Sequence, residues 1–288
     1  MSAPSERIRR ETGPVAADHT IDQRWSAYSA EEHARWDALH ARMMRLLPGR
    51  ACRAFLDAAT ALRLSDGGIP DFGRLSDRLE AMTGWRVVGV PGLAPDEVFF
   101  DHLANRRFPA GCFIRDADEM DYIEEPDVFH DVFGHVPLLA DPAYADFMEA
   151  YGRGGLRAKS LGRLENLARL YWYTIEFGLI REEGVLRIFG AGIMSSPKET
   201  VFALEDPSPN RIGFDLERVM RTNYRIDDFQ QSYFVIDSFD GLLREAMQDF
   251  APLYRKLADG VAFRPEQVSP ADLVVHKGAQ TYFNDKAA

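Results

Sequence analysis

Glu125-Pro-Asp-Val-Phe-His130-Asp-Val-Phe-Gly-His135-Val-Pro137 is the most informative stretch of the chain. It holds two of the seven histidines, five residues apart. On an ideal α-helix that spacing sets them about 140° apart. They can share a ligand only if the helix ends or bulges between them. Gly134 just before the second histidine and Pro137 just after it suit a helix ending there, with His130 on the last turn and His135 at the exit. By spacing alone, two unrelated core histidines are an equally good reading, because HxxxxH is a weak pattern. The neighbours shift the balance. Val128, Phe129, Val132 and Phe133 make the segment largely apolar, and two imidazoles there need partners that a metal would supply.

Downstream, Leu167 to Ile180 reads LARLYWYTIEFGLI. From Leu170 on it is apolar on every face except at Thr174 and Glu176, and a helix apolar all round is a buried one. Glu176 therefore sits in low dielectric, where a carboxylate must be protonated, paired or metal-bound. An ion pair with Arg169 is the bland alternative. With two candidate histidine ligands upstream, ligation becomes the better reading. Asp131 is a rival carboxylate, ranked below Glu176 because an acid adjacent to His130 points elsewhere on a helix. Two histidines and one carboxylate form the facial triad of non-haem Fe(II) oxygenases. A zinc hydrolase using the same three ligands is the competing enzyme, but the chain has no HExxH and no cysteine ligand set.

Outward from this centre the patterns are mostly helical. Ser29-Ala-Glu-Glu32 is a capping box, followed by Trp36, Leu39, Met43 and Leu46 at helical spacing. Further helices are expected over Cys52–Leu62, after Pro70, over Pro95–Ala104, Pro126–Phe133, Pro142–Tyr151, Leu161–Ile180 and, as one long element, Phe239–Leu257. Short strands are expected at Arg86–Val90, Cys112–Arg115 and Val185–Phe189. Residues 1–19 read as a flexible tail and 20–288 as one catalytic domain, mainly α with a few short β-strands. No heptad pattern follows Val261, so a monomer is expected.

The 288 residues are 46% hydrophobic and 11% aromatic, enough for a sizeable core, and the net charge is −11. An acidic surface disfavours nucleic acid and anionic lipid. Cys52 and Cys112 are too few for a disulfide framework and suit a reducing cytoplasm. The N-terminus lacks the apolar region of a signal peptide, and no apolar run is long enough to span a bilayer.

From about Trp25 to about Phe250 the chain resembles the catalytic domain of the tetrahydropterin-dependent aromatic amino acid hydroxylases. EPDVFHDVFGHVPLL, WYTIEFGL and GAGIMSS carry the resemblance in combination. It implies hydroxylation of L-phenylalanine to L-tyrosine with Fe(II), O2 and a tetrahydropterin, either tetrahydrobiopterin or a bacterial analogue, with tryptophan hydroxylation as the alternative within the family. His130, His135 and Glu176 match the iron ligands. Arg115 matches the arginine that holds the amino acid carboxylate, for which a planar fork is suited. Trp172, Phe177, Ser195 and Ser196 match substrate-side positions. Phe99 matches the aromatic that stacks on the pterin, and Asp131 and Tyr171 match positions near the pterin and the metal. Glu199 is expected to support the same surroundings. Two residues depart from the family pattern: Ile123 replaces a threonine and Pro109 a histidine. Val235, apolar where the tyrosine-hydroxylating branch carries an acid, favours phenylalanine.

Overall fold

The computed structural model describes residues 14–258 and 260–287. Most of the tail expected over 1–19 lies outside the described residues. Within the remainder, Asp18 pairs with Arg107, and just after it Ile21 bridges to Gly89.

The N-terminal half is helical around one parallel strand pair. α1 (Ala30–Leu46) begins at the expected capping box, with Ser29 and Glu32 each bonding the other's backbone N–H. α2 (Arg53–Ala61) and α3 (Phe72–Thr83) follow, then β1 (Arg86–Val90), α4 (Asp96–Ala104) and β2 (Arg107–Gly111). α4 is the crossover that lets β1 and β2 pair in parallel. The strand expected over Cys112–Arg115 thus lies one element earlier. Cys112–Arg115 is irregular chain instead, and it is anchored by Val128 N–H to Phe113 O and by Tyr28 O–H to Cys112 O.

The next stretch corrects the expected helix over Pro126–Phe133. Pro126 stays outside it. Asp127 accepts from His130 N–H, and a π-helical segment runs over Phe129–His135. α5 (Pro142–Ser160) is longer than Pro142–Tyr151, and α6 (Leu164–Tyr171) passes into a second π-helical segment, Trp172–Glu176. The single helix expected over Leu161–Ile180 is therefore two segments and the start of a strand. Gly162 at φ 65° precedes it, and Phe177 N–H bonds back five residues to Trp172 O.

A mixed sheet of five strands, in the order β4-β3-β6-β5-β7, closes the other side. β3 (Leu179–Glu182) and β4 (Val185–Ile188) form a hairpin whose loop residues, Glu183 and Gly184, both have positive φ. That twist matches the strands. α7 (Ala191–Met194) and α8 (Pro197–Glu205) precede β5 (Asn210–Gly213) and α9 (Leu216–Met220). β6 (Ser232–Ile236) then enters between β3 and β5, parallel to both. The long helix expected over Phe239–Leu257 is α10 (Phe239–Ala246) and α11 (Phe250–Ala258). Asp249 accepts from Ala251 N–H at the break, and Met247 beside it is 69% exposed. β7 (Val274–His276) and α12 (Thr281–Ala287) end the described chain. Among the described residues no helix is long and apolar enough to cross a membrane.

One core joins both halves. Trp36, Phe55, Phe129 and Phe133 pack edge-on or stacked, and Tyr144, Phe189 and Phe239 continue the cluster.

Candidate active site

The two π segments face each other across the floor of a cavity of about 350 Å³. A π turn holds more residues than an α turn, so side chains five apart return to one face. His130 and His135 do so, with their Nε2 atoms 3.2 Å apart. From the second segment, Glu176 Oε1 lies 3.2 Å from His135 Nε2, and Glu176 Oε2 lies 3.7 Å from His130 Nε2. The helix does not end between the histidines, as their spacing had suggested; it widens.

α7 lies beneath both segments and explains the glycines around it. A Cβ on Gly134 would meet Ala191 O at 2.9 Å. One on Gly192 would meet Phe177 Cζ at 2.9 Å and Glu176 Oε2 at 3.1 Å. Gly134 thus lets the α7 backbone approach, and Gly192 makes room for the Phe177 and Glu176 side chains.

Hydrogen bonding selects one tautomer of His130. Ser195 Oγ donates to Ala191 O at 2.9 Å, so its single proton is committed. The same oxygen lies 2.9 Å from His130 Nδ1 and must accept from it. Nε2 is left with a bare lone pair aimed at the cavity. His135 packs on Phe108, with ring centroids 5.1 Å apart, and its Nδ1 is buried without a hydrogen-bond partner.

The electrostatics agree with a ligand set. Burial pushes His130 down to about 4, against the pull of Glu176. Burial works to raise Glu176, but the two imidazoles and Tyr171 outweigh it and hold the carboxyl at about 2. At neutral pH the site therefore presents a neutral His130 beside an ionised carboxylate, the protonation states that metals require. The two Nε2 atoms lie 3.2 Å apart, and each lies 3.2 to 3.7 Å from an oxygen of the Glu176 carboxylate. An octahedral face with bonds of about 2.1 Å has edges of about 3.0 Å, so a divalent cation fits after shifts of tenths of an ångström.

Asp131 also comes within 4.8 Å of the histidine nitrogens. Its Oδ2 is engaged by Gly111 N–H at 2.8 Å, and burial raises its carboxyl to about 7, which that N–H opposes. Glu176 is the closer carboxylate and the ionised one.

Phe99, Asp131, Tyr171 and Trp172 line the cavity together with His130, His135 and Glu176, as do Pro109 and Tyr224. Phe99 meets Tyr171 edge-on at 5.9 Å. Arg115, Phe177, Ser195 and Ser196 stand behind that lining. Arg115 is 4% exposed, and its Nε and Nη2 donate to Asp127 at 2.9 and 2.8 Å. Ser196 caps α8 by accepting from Glu199 N–H. Phe177 lies against Trp172 at 4.8 Å. Val235 is buried in β6, and Ile123 is half-buried and outside the lining.

Sequence reasoning missed Asp127, which bonds both Arg115 and the backbone of His130. Its place just before the apolar run, at a helix N-cap, was the available signal. Tyr224 and Gln230 carry no such signal, because only the fold brings them to Trp172.

Comparison with known proteins places this geometry. A sequence profile for biopterin-dependent aromatic amino acid hydroxylases matches residues 6–269. The chain is 59% identical to a phenylalanine-4-hydroxylase from Caulobacter vibrioides, over 92% of this chain and 90% of that one. It is 54% identical to a phenylalanine-4-hydroxylase from Chromobacterium violaceum, over 91% and 89%. The fold is similar to the crystal structure of phenylalanine hydroxylase from Chromobacterium violaceum bound to cobalt, with a TM-score of 0.88 and 55% identity, covering 90% of this chain and 94% of that one.

Proposed function

We propose that this chain, which belongs to the family of biopterin-dependent aromatic amino acid hydroxylases and is a phenylalanine 4-monooxygenase, works at Fe(II) held by His130, His135 and Glu176, with a tetrahydropterin as reductant and O2 as co-substrate. The observation that carries this reading is the convergence of two imidazole nitrogens and one ionised carboxylate on the floor of an aromatic cavity.

When bound, the metal and the reduced pterin supply the activation of O2 and the electrons it needs, and one oxygen atom enters C4 of the phenylalanine ring. The chain's own residues do the rest. Arg115 carries five N–H donors and uses two side-chain nitrogens on Asp127, so its remaining edge can take the substrate carboxylate. Trp172, backed by Phe177, forms the wall for the substrate ring. Phe99 would stack on the pterin, and Tyr171 and Asp131, which line the same cavity, would offer it and the metal hydrogen-bonding groups. Ser195 fixes the His130 tautomer. The apolar walls exclude water, which protects a reactive oxidant from wasteful reduction. We read the compartment as the cytoplasm and the enzyme as a monomer, and sedimentation would check the latter.

The test is tyrosine formation from phenylalanine with Fe(II), a tetrahydropterin and O2, each omitted in turn. Product only in the complete mixture supports the whole assignment. Activity with Zn²⁺ and without O2 would overturn it.

A further inference from the structure

Trp172 stands at the start of the second π segment. Its ring is stacked on Tyr224 (centroids 4.3 Å apart, planes at 15°) and tilted against Phe177 (4.8 Å, 40°). Ring stacking fixes the height of an indole but resists sliding in its plane only weakly. Direction comes from the indole N–H, which donates to Gln230 Oε1 at 2.8 Å.

Gln230 is 2% exposed, and its amide cannot turn. The amide nitrogen donates to Arg225 O at 3.1 Å and Asp228 O at 3.4 Å, which only an NH2 group can do. Oε1 must therefore face Trp172. The backbone N–H of Gln230 donates to Glu199 Oε1 at 3.4 Å, and Tyr233 O–H donates to the same oxygen at 2.7 Å. The bracket is thus fixed at both ends. Beyond it, Asp228 accepts from Tyr282 O–H and Lys286 Nζ of α12.

We propose that Gln230 is a positioning residue of the hydroxylation: it sets the in-plane position of the Trp172 indole and so the width of the slot that admits a single benzene ring and disfavours an indole. The proposal rests on the reading of Trp172 as the substrate-ring wall. A displaced indole widens the slot, loosens phenylalanine and relaxes discrimination against tryptophan, while the metal and its ligands are untouched.

The experiment is a double-mutant cycle of Gln230→Leu and Trp172→Phe in the full chain. Steady-state kcat and KM are measured for phenylalanine and for tryptophan, with thermal melting as a check on folding. Gln230→Leu alone should raise KM for phenylalanine about fivefold, the worth of one ordinary buried hydrogen bond, and lower the preference for phenylalanine over tryptophan by a similar factor, with kcat changed less than about twofold. In the Trp172→Phe background the N–H is gone, so Gln230→Leu should change KM by less than about twofold. An equal penalty in both backgrounds overturns the proposal and leaves the Trp172 reading in place. If Trp172→Phe alone moves neither KM nor preference, the Trp172 reading fails and the proposal falls with it. Gln230→Met, closer in length, replaces the leucine variant should that one not fold.

Discussion

The two π-helical segments use the same distortion for different ends. In Phe129–His135 the widened turn returns two side chains to one face, so a single segment supplies both imidazoles. Its other face is wholly committed to the core through Phe129, Val132 and Phe133. In Trp172–Glu176 the widening supplies one carboxylate, the proposed third ligand, and ends a helix, after which the chain turns at Gly178 into β3. The first segment is therefore held from behind by aromatic packing. The second is held by α7 pressed against Glu176 and by the stacked rings around Trp172. One distortion makes the floor of the proposed metal site; the other makes the junction between that floor and the proposed substrate wall.

The sharpest way to break this comparison is to remove the ligands. His130→Ala, His135→Ala and Glu176→Ala are each expected to abolish tyrosine formation while leaving the far-ultraviolet circular dichroism unchanged, since the proposed coordination face needs all three. Hydroxylation retained in any of them removes that residue from the set and parts the two segments.

The next effect falls on the substrate side of the first segment. Arg115→Lys replaces a fork with a point charge and breaks the two-toothed pairing with Asp127, which also bonds His130 N–H. KM for phenylalanine should rise about thirtyfold. An unchanged KM ends the carboxylate assignment.

Gly192→Ala tests the wedge beneath the second segment. The new methyl group meets Phe177 at 2.9 Å and the Glu176 carboxylate at 3.1 Å, so Glu176 must shift. Metal affinity, read by titration with Fe(II) under anaerobic conditions, should fall about tenfold. Unaltered affinity would mean that α7 does not set the ligand.

The smallest expected effect concerns Glu199. Burial raises its carboxyl from 4.5 to about 8, against the Tyr233 and Gln230 hydrogen bonds. The folded chain thus holds a proton that the unfolded chain releases near the ordinary value. Stability from this group is complete below about pH 4.5 and is lost as the pH rises through about 8. Glu199→Gln cannot ionise. Its Tm relative to the parent should climb by about 4 °C between pH 5 and pH 8.5. A constant difference would show that Glu199 stays ionised.

What was legible in the sequence rests on local patterns with local physical causes. Glu176 was picked out because an acid amid Leu170–Ile180 has nowhere wet to go. The capping box at Ser29 and the strand at Arg86–Val90 are local patterns with local causes. The histidine pair was found through its apolar neighbours but given the wrong geometry, because π turns have no simple residue signal. β5 and β6 were missed: they are short and buried almost throughout, so neither shows alternation. The Phe239–Leu257 helix was drawn through Asp249 because periodicity continues across the break, while the cap that starts α11 reads only as another polar residue.

The order of strands in the five-stranded sheet has a consequence for how the chain is made. β6 lies between β3 and β5, yet it is synthesised after both. As the nascent chain emerges, the β3–β4 hairpin and β5 wait with unsatisfied edges until residues 232–236 arrive to join them. Open edges are what aggregation recruits. A chain stopped between Gly213 and Ser232 would already contain His130, His135 and Glu176 and still lack the strand that joins the two parts of its sheet. For this fold, translation that stalls late is more hazardous than translation that stalls early.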